Sequence, residues 1–284
     1  MVVGGMPDAV QAYIGGRGDL GAARDVQDDL VRLYRDDISK YAGSRALQVE
    51  SIFDAIPNQL NKENKRFELK SLRSKAQYER YANDFAWLVS AGAVLKTNNV
   101  TEPRYMLSRT EEPNRFKLYS SDTGMLFRQY PVEAALDAVA GARAVNFGGV
   151  YENAIAQELA SAHVPLRYYH HSRRGEVDFL AEVGDGGVVA IEVKSGKDYK
   201  LHTALNTLLG TEEYGVERAY VLSEANISAG ERAGKPVYYI PLYMTPFVVE
   251  GLVSEHVGSE SEAARLAKAG RTLTVDPPDL SAWN

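Results

Sequence analysis

Glu176-Val177-Asp178-Phe179-Leu180-Ala181-Glu182-Val183 and Val188-Val189-Ala190-Ile191-Glu192-Val193-Lys194 flank the glycine-rich stretch Gly184-Asp185-Gly186-Gly187. Two apolar, β-branched runs divided by such a stretch predict an antiparallel hairpin. A loop of three or five residues centred on Asp185 sets Asp178 almost directly opposite Glu192. Alternation along the strand puts Glu192 and Lys194 on one face and Ile191 and Val193 on the other. Like charges opposed across a hairpin repel, so a fold that keeps both carboxylates is expected to neutralise them. A divalent cation with oxygen ligands is the natural candidate, with Lys194 adding a positive charge aimed at the same spot.

Outward from the hairpin, residues 150–163 read as a helix that carries Glu152, with Ile155 and Leu159 on its buried side. Residues 166–170 read as a strand, 200–209 as a helix and 218–223 as a buried strand, giving the order α-β-β-β-α-β. Residues 238–242 suggest an edge strand, where Pro241 is tolerated. The polar tail beyond Ser254 has one short helical pattern, Ala263 to Ala269, and is expected to be partly disordered.

Residues 7–41 read as helical, with Pro7 suited to a first turn and a loop at Gly15–Gly21. Val26, Leu30, Leu33, Tyr34 and Ile38 recur at helical spacing. A second amphipathic helix spans Arg45 to Leu60, with Leu47, Ile52, Phe53 and Ile56 apolar and a break expected near Pro57. A third starts at Ser74 as N-cap and ends before Gly92, with Tyr78, Tyr81, Phe85, Leu88 and Val89 inward. Residues 93–96 and 115–119 then read as two strands joined by a polar loop, which suggests a winged helix-turn-helix. Seven basic and three acidic residues fall between Lys62 and Arg80. In a winged helix, Arg73, Lys75 and Arg80 lie on or near the helix that can enter a major groove; a solvated face or a packing surface is the competing reading. The fold class expected is α/β (α+β), a helical and winged-helix unit followed by the α-β-β-β-α-β domain. Its divisions are a helical segment at 1–42, a winged-helix-like domain at 43–130, a linker helix at 131–146, the second domain at 147–250 and a tail at 251–284.

Composition narrows the chemistry. With 284 residues, the chain has room for two modest domains. It has no cysteine, which excludes thiol nucleophiles and disulfides and makes a reducing cytoplasm the default. No apolar run reaches the roughly 20 residues of a membrane helix. A net charge of -6 argues against a protein that coats nucleic acid, but local basic patches can still bind it. No phosphate-binding loop of the G-x-x-x-x-G-K-[S/T] type occurs, so ATP hydrolysis is not expected of this chain.

The order of elements, with Asp178 on the second strand and Glu192-Val193-Lys194 on the third, resembles the PD-(D/E)xK nuclease superfamily of resolvases and restriction-type endonucleases. By that resemblance Asp178 and Glu192 are the metal-binding acids, Lys194 the motif lysine and Glu152 the extra acid of the first helix. Val177 stands where the motif has proline. The resemblance implies Mg²⁺ or Mn²⁺ held by Asp178, Glu192 and the Val193 carbonyl, with Glu152 completing the shell or accepting a proton. Lys194 would orient water or offset charge on the phosphorane. Arg173, Arg174, Lys197 and Lys200 flank the acids and can contact phosphate. Glu176 is expected to pair with Arg173 or Arg174 or to face solvent, and His170 and His171 to be surface or packing residues.

A second resemblance covers about residues 4 to 200. Gly4-Gly5-Met6-Pro7, residues 33–38, 78–92 and 117–124, Tyr151-Glu152-Asn153 and the two acid-bearing strands are similar to the C-terminal portion of prokaryotic AAA-type ATPases. It implies a winged-helix middle, a nuclease-like end and an ATPase core that would precede this chain. The readings left open are a metal-dependent DNA endonuclease, a non-catalytic DNA-binding module serving an ATPase, and a transcription-factor-like protein. The partners expected are DNA and an ATPase domain, with no membrane.

Overall fold

Local signals place the N-terminal helices where the sequence puts them. Pro7 opens helix α1 (Pro7–Gly15), and the Asp19 carboxylate accepts the Gly21 N–H at 2.8 Å to cap helix α2 (Leu20–Tyr41). Helix α3 (Ala46–Leu60) runs through Pro57 instead of breaking there. That proline lies in the last turn, where a missing N–H removes one bond and the buried ring still packs. Helix α4 begins at Tyr78 and ends at Ser90, later than the expected Ser74 start, because the Ala76 N–H closes a separate turn on the Arg73 carbonyl. Val89, expected to face inward, is exposed, as are Leu33 and Leu47 of the apolar helical patterns.

The computed structural model describes residues 1–139, 147–184, 186–196, 199–200 and 202–256. Strands β1 (Val94–Val100), β2 (Glu111–Ser120), β3 (Arg167–His171), β4 (Gly175–Glu182), β5 (Val188–Val193), β6 (Val216–Ser223), β7 (Ser228–Arg232) and β8 (Lys235–Pro241) form one mixed sheet. Its order is β2-β1-β3-β4-β5-β6-β8-β7. Helix α5 (Thr123–Arg128), capped by Asp122, and α6 (Val132–Val139) follow β2. Helix α7 (Gly148–Ser161) precedes β3, α8 (Thr203–Gly210) follows β5, and α9 (Thr245–His256) follows β8. The expected order α-β-β-β-α-β is therefore α7-β3-β4-β5-α8-β6. Residues 140–146, within the expected linker, and the tail pattern at Ala263–Ala269 lie outside the described residues.

Two expectations are corrected at the edges of the sheet. The hairpin β1–β2, expected as a wing, belongs to the central sheet: Asn98, Asn99 and Val100 pair in parallel with Arg167, Tyr168 and Tyr169. Buried Asn99 clamps this junction, accepting the His170 N–H at 2.8 Å and donating to Glu112 at 2.7 Å. At the other side β8 pairs with both β6 and β7, so the outer strand is the polar β7 and not residues 238–242. Pro241 ends β8, where its lost donor costs little.

Alternation along the central strands builds two apolar layers. Phe179, Ala181, Val189 and Ile191 pack with Ile155 and Leu159 of α7 and Val248 and Leu252 of α9. Leu180, Val188, Ala190 and Val221 pack with Leu205, Leu208 and Leu209 of α8. No helix among the described residues is long and apolar enough to cross a membrane.

Helices α3 and α7 meet at Gly149, where a side-chain Cβ would lie 2.3 Å from the Leu60 carbonyl oxygen. Gly149→Ala is expected to force the helices apart and destabilise the protein by about 1–3 kcal/mol, read from urea denaturation.

Candidate active site

The β4–β5 hairpin folds in the expected register. Phe179 pairs with Ile191, Leu180 with Ala190, Ala181 with Val189 and Glu182 with Val188. The Val183 N–H donates to the Gly187 carbonyl at 3.1 Å and closes a loop over residues 184–186; Asp185 itself lies outside the described residues. Continued one step beyond Phe179 and Ile191, that register sets the Asp178 position opposite Glu192. The ladder ends there, and Asp178 Oδ2 accepts the Val193 N–H at 2.9 Å. On the other side of β4 the register slips, from Arg167 opposite Leu180 to Tyr169 opposite Val177. Asp178 and Phe179 thus share one partner position, a bulge that re-aims the aspartate.

The side chain that Asp178 meets was not among the expected site residues. Lys117 of β2 is fully buried, and its ammonium lies 2.7 Å from Glu176 Oε1, 3.0 Å from Glu152 Oε2 and 3.2 Å from Asp178 Oδ1. Its three N–H donors thus meet three carboxylates. Glu152 on α7 also accepts from the Tyr119 hydroxyl at 2.9 Å and pairs through Oε1 with Lys65 at 2.8 Å. Burial opposes charge on Lys117, but Glu152, Tyr119, Glu176 and Asp178 outweigh it and hold the ammonium well above its ordinary pKa. Burial likewise opposes ionisation of Glu152, yet Lys117 and Lys65 prevail and keep it ionised. Glu176 is thereby corrected: it turns inward to Lys117, while Arg174 donates to the Tyr214 hydroxyl.

Glu192 and Lys194 share a face as expected, and Lys194 Nζ lies 2.7 Å from Glu192 Oε1. The other oxygen, Oε2, is buried without a partner. Burial and then the Asp178 charge push Glu192 up to about 8, against the pull of Lys194. Asp178 is raised to about 6, by burial first and then by Glu152. His202, just before α8, is buried with neither ring nitrogen partnered. Burial, then Lys194 and Arg232, lower it to about 4, so the ring is neutral. No motif in the sequence singles it out.

These contacts decide how a divalent ion fits. Four carboxylates, Glu152, Glu176, Asp178 and Glu192, face three ammonium groups, Lys65, Lys117 and Lys194. Within the Asp178–Glu192 pair, Glu192 spends one oxygen on Lys194 and its other, buried oxygen is free. That pair fits a cation that keeps several waters, as Mg²⁺ does. Glu152 does not fit as a ligand, because two ammonium groups and the Tyr119 hydroxyl hold its oxygens, whereas Asp178 spends one oxygen on Lys117 and the other on a neutral backbone N–H. Among the described residues no three His, Asp or Glu side chains are grouped to hold an ion.

Of the residues expected to contact nucleic acid, Arg73, Lys75, Arg80, Arg173, Arg174 and Lys200 are exposed, while Lys197 lies outside the described residues. The Lys62–Arg80 segment is not one surface. Lys62 pairs with Glu68 at 2.9 Å, and Lys65 turns in to Glu152.

The family model of a domain of unknown function (DUF8612) matches residues 1–135, and that of another domain of unknown function (DUF4143) matches residues 147–243. The chain joins two domains of unknown function. No curated protein and no solved structure matches it. The acid cluster is shared between the two matched segments: Lys65, Lys117 and Tyr119 come from the DUF8612 segment and all four carboxylates from the DUF4143 segment.

A carboxylate raised in the fold stabilises it below its ordinary range, near 4.3, and loses that contribution as pH rises through the folded value. For Glu192 that window closes at about 8. In the absence of divalent ions, Glu192→Gln is expected to be more stable than wild type by on the order of 5 kcal/mol at about pH 8.5 and nearly equal at about pH 4. Urea denaturation at the two pH values checks this.

Proposed function

We propose that this chain is a divalent-metal-dependent, nuclease-like protein acting on phosphodiester bonds of DNA in a cytoplasmic setting. The reading rests on the buried Asp178–Glu192 pair, with its free Glu192 oxygen beside the Lys194 ammonium. A bound Mg²⁺ or Mn²⁺ would polarise the phosphate and lower the pKa of water. The protein's own part is positional and electrostatic. The Val193 N–H fixes Asp178, and Lys194 offers a charge to a phosphate drawn against Glu192. Glu152 is committed to two lysines and a tyrosine, so its role is to hold Lys117 and not to accept a proton from water. Exposed Arg73, Lys75, Arg80, Arg173 and Lys200 supply positive charge for the DNA backbone.

One observation favours a second reading. Lys65 and Lys117 neutralise most of the acid cluster from within, as suits a non-catalytic DNA-binding or regulatory module of an AAA-type ATPase with a vestigial site. Incubation with supercoiled, linear and branched DNA and Mg²⁺ or Mn²⁺ separates the two. The nuclease reading expects nicking that falls by about 100-fold or more in Asp178→Ala and Lys194→Ala. Binding without cleavage in all three proteins supports the module, and absence of cleavage with every divalent ion overturns the enzyme.

Charge reversal at Lys75 and Arg80 tests the surface independently. DNA affinity is expected to fall by roughly tenfold or more with a shallower salt dependence, measured by titration at several salt concentrations. Unchanged affinity would remove the start of α4 and the turn before it from the interface.

A further inference from the structure

Lys117 has the surroundings of a bound ion. Its ammonium has no exposure to solvent and contacts carboxylate oxygens from Glu152 on α7 and from Glu176 and Asp178 on β4, all within 3.2 Å. Three carboxylates can also serve a hard divalent cation, but with the ammonium seated among them these three form no ion site as they stand. The floor differs from a hydrated ion's shell: the Tyr168 ring lies under the ammonium at 5.2 Å, and the Tyr119 hydroxyl is spent on Glu152. Such surroundings suit a group that needs no water ligands. Buried ion pairs add little net stability compared with apolar packing, so stability alone does not account for this arrangement.

We propose that Lys117 is a resident counter-ion filling a second cation position, so that the site takes one divalent ion at Asp178–Glu192 and excludes another at Glu152–Glu176–Asp178. Lys117 is then a positioning residue. It aims Asp178, whose other oxygen holds the Val193 N–H, and so sets the geometry of the ion-binding pair. Because Lys117 lies on β2, the DUF8612 segment completes the acid cluster of the DUF4143 segment. The inference deepens the ion-binding part of the nuclease reading and rests on it for the position of the first ion; the assignment of Lys117 rests on its own contacts.

Replacing Lys117 by a neutral side chain of similar length leaves three carboxylates that must take up protons or recruit a cation. Thermal melting in EDTA and in saturating Ca²⁺ tests this in a Glu192→Gln background, which removes the unpartnered carboxylate oxygen of the first position. Ca²⁺ is expected to raise the melting temperature of Glu192→Gln/Lys117→Met by about 5 °C or more and that of Glu192→Gln by no more than about 1 °C. Glu192→Gln/Lys117→Arg, which keeps a cation, is expected to behave as the parent. Equal Ca²⁺ responses in the Met variant and its parent overturn the proposal. So does a Met variant that stays insoluble with Ca²⁺ as without it while the Arg variant is soluble, because an ion then cannot replace the ammonium. A Ca²⁺ response gained by the Met variant, beside a wild type that cleaves no DNA, upholds Lys117 as counter-ion and removes the nuclease reading alone.

Discussion

One ammonium among three carboxylates sets the terms for the centre of this molecule. Without Lys117, buried Glu152 and Asp178 and half-buried Glu176 would be three like charges with Lys65 alone to offset them. With it, Glu152 stays ionised, Glu176 turns inward, and Asp178 is drawn to the gap between β4 and β5. Glu192 pairs with Lys194 through one oxygen and keeps the other buried and unpartnered. The chemistry proposed for the site follows from that free oxygen.

Much of the fold serves to deliver this lysine. Strand β2 reaches the cluster because β1 pairs with β3 and brings the hairpin into the central sheet. The bulge in β4 turns Asp178 towards the lysine, and the bare backbone of Gly149 lets α3 approach α7, next to the segment that carries Lys65. Two segments matched by different family models are therefore joined by one sheet and one charge network. A variant that loosens the α3–α7 contact acts on the electrostatics of the site as well as on packing.

The parts legible in the sequence are those that local rules determine. Loop length and alternation specified the 176–194 hairpin, so the opposition of Asp178 and Glu192 and the shared face of Glu192 and Lys194 followed without coordinates. The order of elements around them was equally readable. The long-range pairing of β1 with β3 has no local signature, and a hairpin following helices was read as a free wing. The missed clue was chemical: Lys117 stands between Phe116 and Leu118 in the buried half of β2, where a lysine requires acidic partners. Glu176 was misassigned because Arg173 and Arg174 are nearer in sequence than Lys117. Short, polar β7 carried too little apolar pattern to be found.

The most direct test is a crystal of the wild-type protein soaked in Mn²⁺, with the ion located by anomalous scattering. The account expects a single ion between Asp178 and Glu192, with the Lys117 ammonium still seated among Glu152, Glu176 and Asp178. An ion among those three carboxylates with Lys117 displaced, or no ion beside Glu192 at saturating Mn²⁺, would contradict it.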